Sequence, residues 1–125
     1  MSEHLNYSIP LTKLTNFQIV FYREAYMCVD AHYSNPQFNA CKLAEAMQIT
    51  RRQLYREMDK LNTSPASFIR EFRLRRALQF LESGTVRRVK DLCFLVGYEN
   101  SETFSKHFIE YYGYRPSGLI RKQVA

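Results

Sequence analysis

Residues 43–64, with the sequence LAEAMQITRRQLYREMDKLNTS, decide the fold of this chain because they describe two short helices around a tight turn. Apolar residues recur three and four positions apart on both sides of Gln48-Ile49, which is the spacing of a single helical face. Thr50 can cap the second helix by accepting a backbone N–H. We therefore predict a helix, a turn at Gln48-Ile49 and a second helix over about residues 51–61.

The same pattern returns in the second half of the chain at an offset of 49 to 51 residues. Gly97 can supply the positive φ that the second turn needs, and the helix after it is predicted from about Asn100 to Tyr112. The corresponding motifs are Leu43-Ala44 and Leu92-Cys93, Leu54 with Met58 and Phe104 with Phe108, and Ser64-Pro65 and Arg115-Pro116. The repeat predicts a helix-turn-helix motif that is written twice, each copy followed by a helix that starts at proline.

The rest of the chain completes an all-α architecture of about seven helices in homeodomain-like repeats. Apolar residues recur at helical spacing from Asn16 onward, and Asn16 is expected to cap that helix. The predicted organisation is an N-terminal tail at 1–14, a first helix-turn-helix lobe at 15–63, a connector helix at 64–83 and a second lobe at 84–125.

The connector helix has a length that suits double-stranded DNA. Ser64 is a typical N-cap before Pro65 at the first helical position. From Ser64 to Glu82 there are 19 residues, which form about 28 Å of helix. Successive major-groove faces of B-DNA lie roughly 34 Å apart. The length predicts two recognition helices in adjacent major grooves.

Positive charge is concentrated in one block of the sequence. The net charge is +6, and residues 51–90 hold 11 basic and 4 acidic side chains. Residues 1–50 hold 3 basic and 4 acidic side chains, and residues 91–125 hold 4 of each. Phosphate backbones attract such a block in a salt-dependent way, so the distribution favours a nucleic-acid surface over an ordinary solvated face.

Composition excludes several other classes of protein. No apolar run approaches the roughly 20 residues of a membrane span and no signal peptide is visible, so a cytoplasmic, nucleoid-associated protein without a membrane partner is expected. Cys28, Cys41 and Cys93 are scattered and form no CxxC pair, which argues against a metal site. Because no phosphate loop or nucleophile motif is present, we expect no catalytic residue, no cofactor and no enzyme activity.

The outward faces of the two second helices supply the candidate DNA contacts. Arg52 and Arg56 can each bond O6 and N7 of guanine, or else contact phosphate alone. Tyr55 either contacts a thymine methyl group or a sugar, or packs on its own lobe. Glu102 either accepts from a cytosine amine or points away from DNA. The candidates are Arg51, Arg52, Tyr55 and Arg56 in the first copy, Ser101, Glu102, Thr103 and Lys106 in the second, and Arg87 and Arg88 near a helix N-terminus.

Six segments of the chain resemble the AraC/XylS-type DNA-binding domain, and the resemblance extends over about residues 21–122. Both copies of the motif, their order and the connector take part in it. The segments are MQITRRQLYR at 47–56, SPASFIR at 64–70, RLRRA at 73–77, VGY at 96–98, FSKHF at 104–108 and GYRP at 113–116. The resemblance implies seven helices in two lobes joined by a long helix.

The resemblance also implies a function and its site residues. It implies bacterial transcription regulation, usually activation, through binding to double-stranded promoter DNA and contact with RNA polymerase. By position, it assigns base contacts to Arg52, Tyr55 and Arg56 and, in the second copy, to residues 101–103 and Lys106. These expectations agree with the candidates taken from the helix faces.

Two questions stay open at the level of sequence. Residues 21–38 look most like family members fused to two-component signalling proteins, so the chain is either a free-standing regulator or the C-terminal output domain of a larger one. A helical protein-interaction module that has kept the fold but lost sequence readout is the alternative function. The aromatic content of residues 1–33 gives the hypothesis that this region forms a homodimer.

Overall fold

The computed structural model describes the backbone of residues 13–124 and the side chains of residues 13–120. All regular structure in this part of the chain is helical, and the seven helices confirm the predicted fold class. They are α1 (Asn16–His32), α2 (Ala40–Met47), α3 (Arg51–Lys60), α4 (Pro65–Ser83), α5 (Val89–Leu95), α6 (Ser101–Tyr112) and α7 (Pro116–Val124). Within the described segment, no helix has the length and apolar character needed to cross a membrane.

The chain divides into two compact units, and the division falls inside α4. Among the described residues, the N-terminal unit comprises 13–33 and 38–71, and the C-terminal unit comprises 34–37 and 72–124. Most of the predicted tail at 1–14 lies outside the described residues. The short segment 34–37 therefore belongs to the C-terminal unit although it precedes α2 in the chain.

The N-terminal unit packs α1 on α2 and α2 on α3 around an apolar core. Ala25, Val29 and Leu43 are completely buried, as are Leu54 and Met58 on the inner face of α3. The apolar helical faces predicted on both sides of the first turn thus lie against the core. Burying each of the valine, leucine and methionine side chains stabilises the unit by roughly 1.5–3 kcal/mol.

The sequence suggested Asn16 as the N-cap of α1, but the N-cap in the structure is Thr15. The Gln18 N–H donates to Thr15 Oγ1 over 3.1 Å, and the Thr15 N–H donates to Gln18 Oε1 over 2.9 Å. This reciprocal pair is a capping box, which satisfies two backbone donors at once. Asn16 is the first helical residue because the glutamine three positions after Thr15 completes the box.

Two non-glycine residues of the N-terminal unit adopt left-handed backbone conformations at helix ends. Gln48 has φ 60° at the turn between α2 and α3, and Asn62 has φ 60° after α3. At Asn62 this conformation is less costly, since asparagine tolerates the left-handed region better than most residues. Ser64 then caps α4 by accepting the Ser67 N–H over 3.2 Å, as predicted.

The C-terminal unit packs α5 on α6 and α6 on α7. Leu92, Phe104 and Phe108 are completely buried in its core. The turn after α5 passes through Gly97 with φ 90°, which confirms the predicted role of this glycine. In the same unit, Arg73 Nη2 donates to the carbonyl oxygen of Asn35 over 2.9 Å and so fixes the segment 34–37.

Candidate nucleic-acid interface

One side of α3 presents four of the predicted DNA-contacting side chains. Arg51, Arg52, Tyr55 and Arg56 are all exposed, and we call this group the α3 surface. No hydrogen bond or ion pair ties Arg51 or Arg52 to another side chain of the described region. Because Leu54 and Met58 anchor the opposite side of the helix, the orientation of the α3 surface is fixed by the core.

The N-terminus of α3 is held by a second capping box. The Gln53 N–H donates to Thr50 Oγ1 over 3.0 Å, and the Thr50 N–H donates to Gln53 Oε1 over 2.9 Å. This confirms the predicted cap at Thr50. The box sets where the helix begins, so it also sets the positions of Arg51 and Arg52 in the first turn.

A buried carboxylate on α3, Glu57, was missed by sequence reasoning. Glu57 is only 7% exposed, although it is charged. Its Oε2 lies 3.5 Å from Arg56 Nε and 3.4 Å from Lys60 Nζ. The sequence held part of the signal, because Glu57 occupies the helical stripe that Leu54, Met58 and Leu61 define, although its charge argues for exposure.

One side of α6 presents the candidate residues of the second copy. Ser101, Glu102, Thr103 and Lys106 are all exposed, and we call this group the α6 surface. Asn100 caps the helix by accepting the N–H groups of Glu102 over 2.8 Å and of Thr103 over 3.0 Å. A carboxylate in the first turn also complements the helix dipole, so Glu102 stabilises α6 irrespective of any ligand.

Contacts behind α6 fix its rotation within the C-terminal unit. The Tyr98 hydroxyl lies 2.8 Å from His107 Nδ1. The Tyr98 ring meets Phe104 edge-on, with centroids 5.2 Å apart. Since Phe104 and His107 flank the inner side of the helix, these contacts hold the α6 surface outward.

Arg87 and Arg88 precede α5 in the same unit and differ in their surroundings. Both are exposed. Arg88 Nε and Nη2 donate to the two carboxylate oxygens of Asp91 over 3.1 and 3.2 Å. Arg87 has no such partner among residues 13–120. Only Arg87 therefore offers its whole guanidinium to a ligand.

A groove beside the second turn is a further feature that sequence reasoning missed. It has a volume of about 580 Å³ and is lined by Phe94, Leu95 and Tyr98 together with Asp91 and Glu99. The Phe94 side chain is 80% exposed, which is unusual for so large an apolar group. The only signal of this groove in the sequence is that an apolar residue, Phe94, directly follows the two inward residues of α5, Leu92 and Cys93.

The two surfaces have different electrostatic characters. The α3 surface carries three arginines, each able to donate to phosphate or to base edges. The α6 surface balances Lys106 against Glu102 and is otherwise hydroxylic. The first suits a polyanion, whereas the second suits a few directed hydrogen bonds.

A family model described as "Helix-turn-helix domain" matches residues 43–122. A curated relative is "Histidine kinase P4" from Formosa agariphila, 28% identical over 96 residues. The match covers 76% of this chain and 7% of the kinase. The chain therefore spans only a small part of the length of this relative.

Solved structures show the same fold. The chain is similar to a transcriptional regulator with an AraC-type DNA-binding domain from Chromobacterium violaceum, with 22% identity and a TM-score of 0.76 over 87% of this chain and 96% of that one. It is also similar to the C-terminal domain of AraT, a response regulator from Geobacillus stearothermophilus, with 22% identity and a TM-score of 0.72 over 88% of each chain. Since the matched family segment contains both turns and the helices that follow them, the chain belongs to the AraC/XylS-type helix-turn-helix family of DNA-binding domains.

Proposed function

We propose that the chain is a sequence-specific DNA-binding transcription regulator. The observation that carries the proposal is the α3 surface, where three arginines and a tyrosine stand exposed on a helix that is capped at one end and anchored by buried residues behind. A rigid helix with several long donors on one face is the common device for reading the major groove.

In the N-terminal unit, Arg52 and Arg56 are the base-reading residues. Each can make two parallel hydrogen bonds to O6 and N7 of guanine, which discriminates against other bases by about 1–3 kcal/mol. Arg51 lies in the first turn of α3 and contacts phosphate. Tyr55 packs on a thymine methyl group or a sugar beside the bases that Arg52 and Arg56 contact.

In the C-terminal unit, Ser101, Glu102, Thr103 and Lys106 read a second major-groove segment. The two recognition helices thereby address adjacent major grooves of one site. Glu102 accepts from a cytosine amine, and Arg87 and Arg88 contact the phosphate backbone. Because this unit offers fewer cations, we expect it to contribute less affinity than the N-terminal unit does.

We further propose that the chain is the C-terminal output domain of a larger, two-component regulator that acts on promoters in the nucleoid. The names of two similar proteins, a histidine kinase and a response regulator, support this placement. Activation through contact with RNA polymerase is the expected mode. The kinase name describes a protein of which this chain matches 7%, so no kinase activity is assigned to the chain.

A homodimer through residues 1–33 is part of the proposal, and α1 supports it within the described residues. One side of α1 is buried in the core through Phe21, Ala25 and Val29. On the outer side, the apolar residues Phe17 and Met27 are 62% and 63% exposed. A helix that is apolar on two sides is usually covered on both. A second copy of α1 is the proposed cover.

The experiment that tests the DNA-binding proposal is selection of binding sites from a random pool of duplex DNA at moderate salt. Two enriched blocks about one helical turn apart would show that both units read bases. A single block would limit base reading to one unit. Enrichment of no sequence by the folded protein would contradict the proposal and favour a protein-interaction module.

A further inference from the structure

Glu57 is the one charged side chain that is buried among the described residues, and it lies on the helix that carries the α3 surface. Removing a carboxylate from water is destabilising unless partners compensate. Its partners are Arg56 and Lys60, and both of them remain more than half exposed. Two cations that remain exposed to solvent thus offset the free-energy cost of burying Glu57. An arrangement of this kind is not expected if the residue serves the stability of the fold alone.

The pairing between Arg56 and Glu57 is unusual for a helix. Adjacent residues on a helix do not face each other, whereas residues three or four apart do. The Glu57–Lys60 pair follows this spacing and the Arg56–Glu57 pair does not. The pair therefore depends on the particular side-chain conformations that bring Arg56 Nε within 3.5 Å of Glu57 Oε2.

The atom that approaches Glu57 determines what Arg56 can still do. Nε is the atom 3.5 Å from the carboxylate. The terminal nitrogens Nη1 and Nη2 lie at the far end of the planar guanidinium, and they form a fork that matches O6 and N7 of guanine. The attraction between Nε and the carboxylate favours a subset of the orientations of this fork before DNA arrives, so less side-chain entropy is lost on binding.

We propose that Glu57 is a positioning residue for base readout, which holds Arg56 by Nε so that its two terminal nitrogens meet one guanine. The inference rests on the proposed function, because it requires that α3 reads DNA. Glu57 itself lies on the buried side and contacts no base. Its effect is confined to the base pair that Arg56 reads.

The test compares two substitutions that change the net charge equally. Glu57→Gln removes the charge that holds Arg56 and keeps the shape of the side chain. Asp59→Asn removes an exposed carboxylate two positions away that has no ion pair among the described residues. The measurement is the dissociation constant for a site with one base pair changed divided by that for the selected site, taken at every position in turn.

We expect Glu57→Gln to lower this ratio about fivefold to tenfold at one base pair, since a bidentate arginine–guanine contact provides discrimination of about 5-fold to 150-fold. Asp59→Asn should leave the ratio unchanged at all positions. Arg56→Ala should abolish discrimination at the same base pair, and adding Glu57→Gln to it should cause no further loss.

Two outcomes would overturn the inference. The ratio could fall in Glu57→Gln at a base pair that Arg56→Ala leaves intact, or it could stay constant at every position. A constant ratio together with weaker binding to all sequences would assign Glu57 a purely structural role. Failure of the proposed function looks different, because the unsubstituted protein would then show no sequence preference at all.

Discussion

Thr50 and Gln53 close the N-terminus of α3 with the same reciprocal hydrogen bonds that Thr15 and Gln18 form at the N-terminus of α1. Both threonines have extended backbone conformations, with φ and ψ of −76° and 158° at Thr50 and of −72° and 164° at Thr15. One unit therefore contains two matched caps, and only one of them precedes the α3 surface.

The two caps allow stability to be separated from DNA binding. Thr50→Ala and Thr15→Ala should each lower the free energy of unfolding by about 1 kcal/mol, because each removes an N-cap acceptor. Thr50→Ala should also weaken binding to the selected DNA site, since fraying of the first turn displaces Arg51 and Arg52. Urea denaturation and fluorescence anisotropy measure the two effects. Equal binding by both variants would mean that the first turn of α3 takes no part in recognition.

The ion pair between Arg88 and Asp91 limits the cationic surface of the C-terminal unit. Asp91→Asn should free Arg88 and raise the affinity for duplexes of any sequence, and the slope of log affinity against log salt should steepen by about one. Glu110→Gln is the matched control, because Glu110 is an exposed carboxylate on α6 that has no ion pair within the described residues. If the affinity for duplex DNA rises equally in both variants, the change in net charge alone explains the effect.

The apolar outer side of α1 predicts how dimerisation can be abolished. Met27→Glu should shift the protein from dimer to monomer in sedimentation equilibrium, because it would bury a carboxylate between two copies. Since Met27 is exposed, the fold of the unit should survive, and circular dichroism checks this. Phe94→Glu is the control on the C-terminal unit and should leave the dimer intact. A protein that is monomeric without any substitution would refute the proposed dimer.

Tyr112 makes the C-terminal unit sensitive to high pH. Burial raises the pKa of Tyr112 above its ordinary value of 10.0, and the hydroxyl donates to the Leu74 carbonyl oxygen over 3.3 Å. The folded state thus holds this proton more tightly than the unfolded state, so the stabilisation is complete below pH 10 and is lost as the pH rises above it.

Urea denaturation between pH 8 and pH 11 tests this dependence. Tyr112→Phe should cost about 1 kcal/mol at pH 8 through the lost hydrogen bond. It should also reduce the decline of stability above pH 10. A decline as steep as that of the unsubstituted protein would assign the effect to other groups, of which Tyr114 is one with a raised pKa.

Much of this architecture could be predicted from the sequence because local rules determine it. The caps at Thr50 and Ser64, the glycine turn at Gly97 and the left-handed Asn62 follow from backbone chemistry that acts over a few residues. Helical periodicity placed Leu54 and Met58 inside. Asn16 was misassigned because the neighbouring Thr15 can also accept a hydrogen bond, and the glutamine at position 18 decides between them.

The remaining features depend on contacts that spacing does not show. Glu57 fits the apolar stripe of α3, but a charged residue there predicts an exposed edge unless the neighbouring cations are considered. The pairing of Arg88 with Asp91 requires a particular side-chain conformation of each residue. The bond from Arg73 to Asn35 spans 38 positions in sequence, and no periodic pattern connects the two residues.

The segment 34–37 has a consequence for how the chain acquires its structure during synthesis. Gln37 Nε2 donates to Glu99 Oε2 over 3.0 Å, and these residues are 62 positions apart. At a ribosomal rate of about 5–20 residues per second, Glu99 is made roughly 3–12 s after Gln37. The C-terminal unit thus includes the segment 34–37, which is translated before the residues of α4 and the second turn that it contacts. A gene fragment cut to the matched family segment, residues 43–122, would encode a protein that lacks this piece.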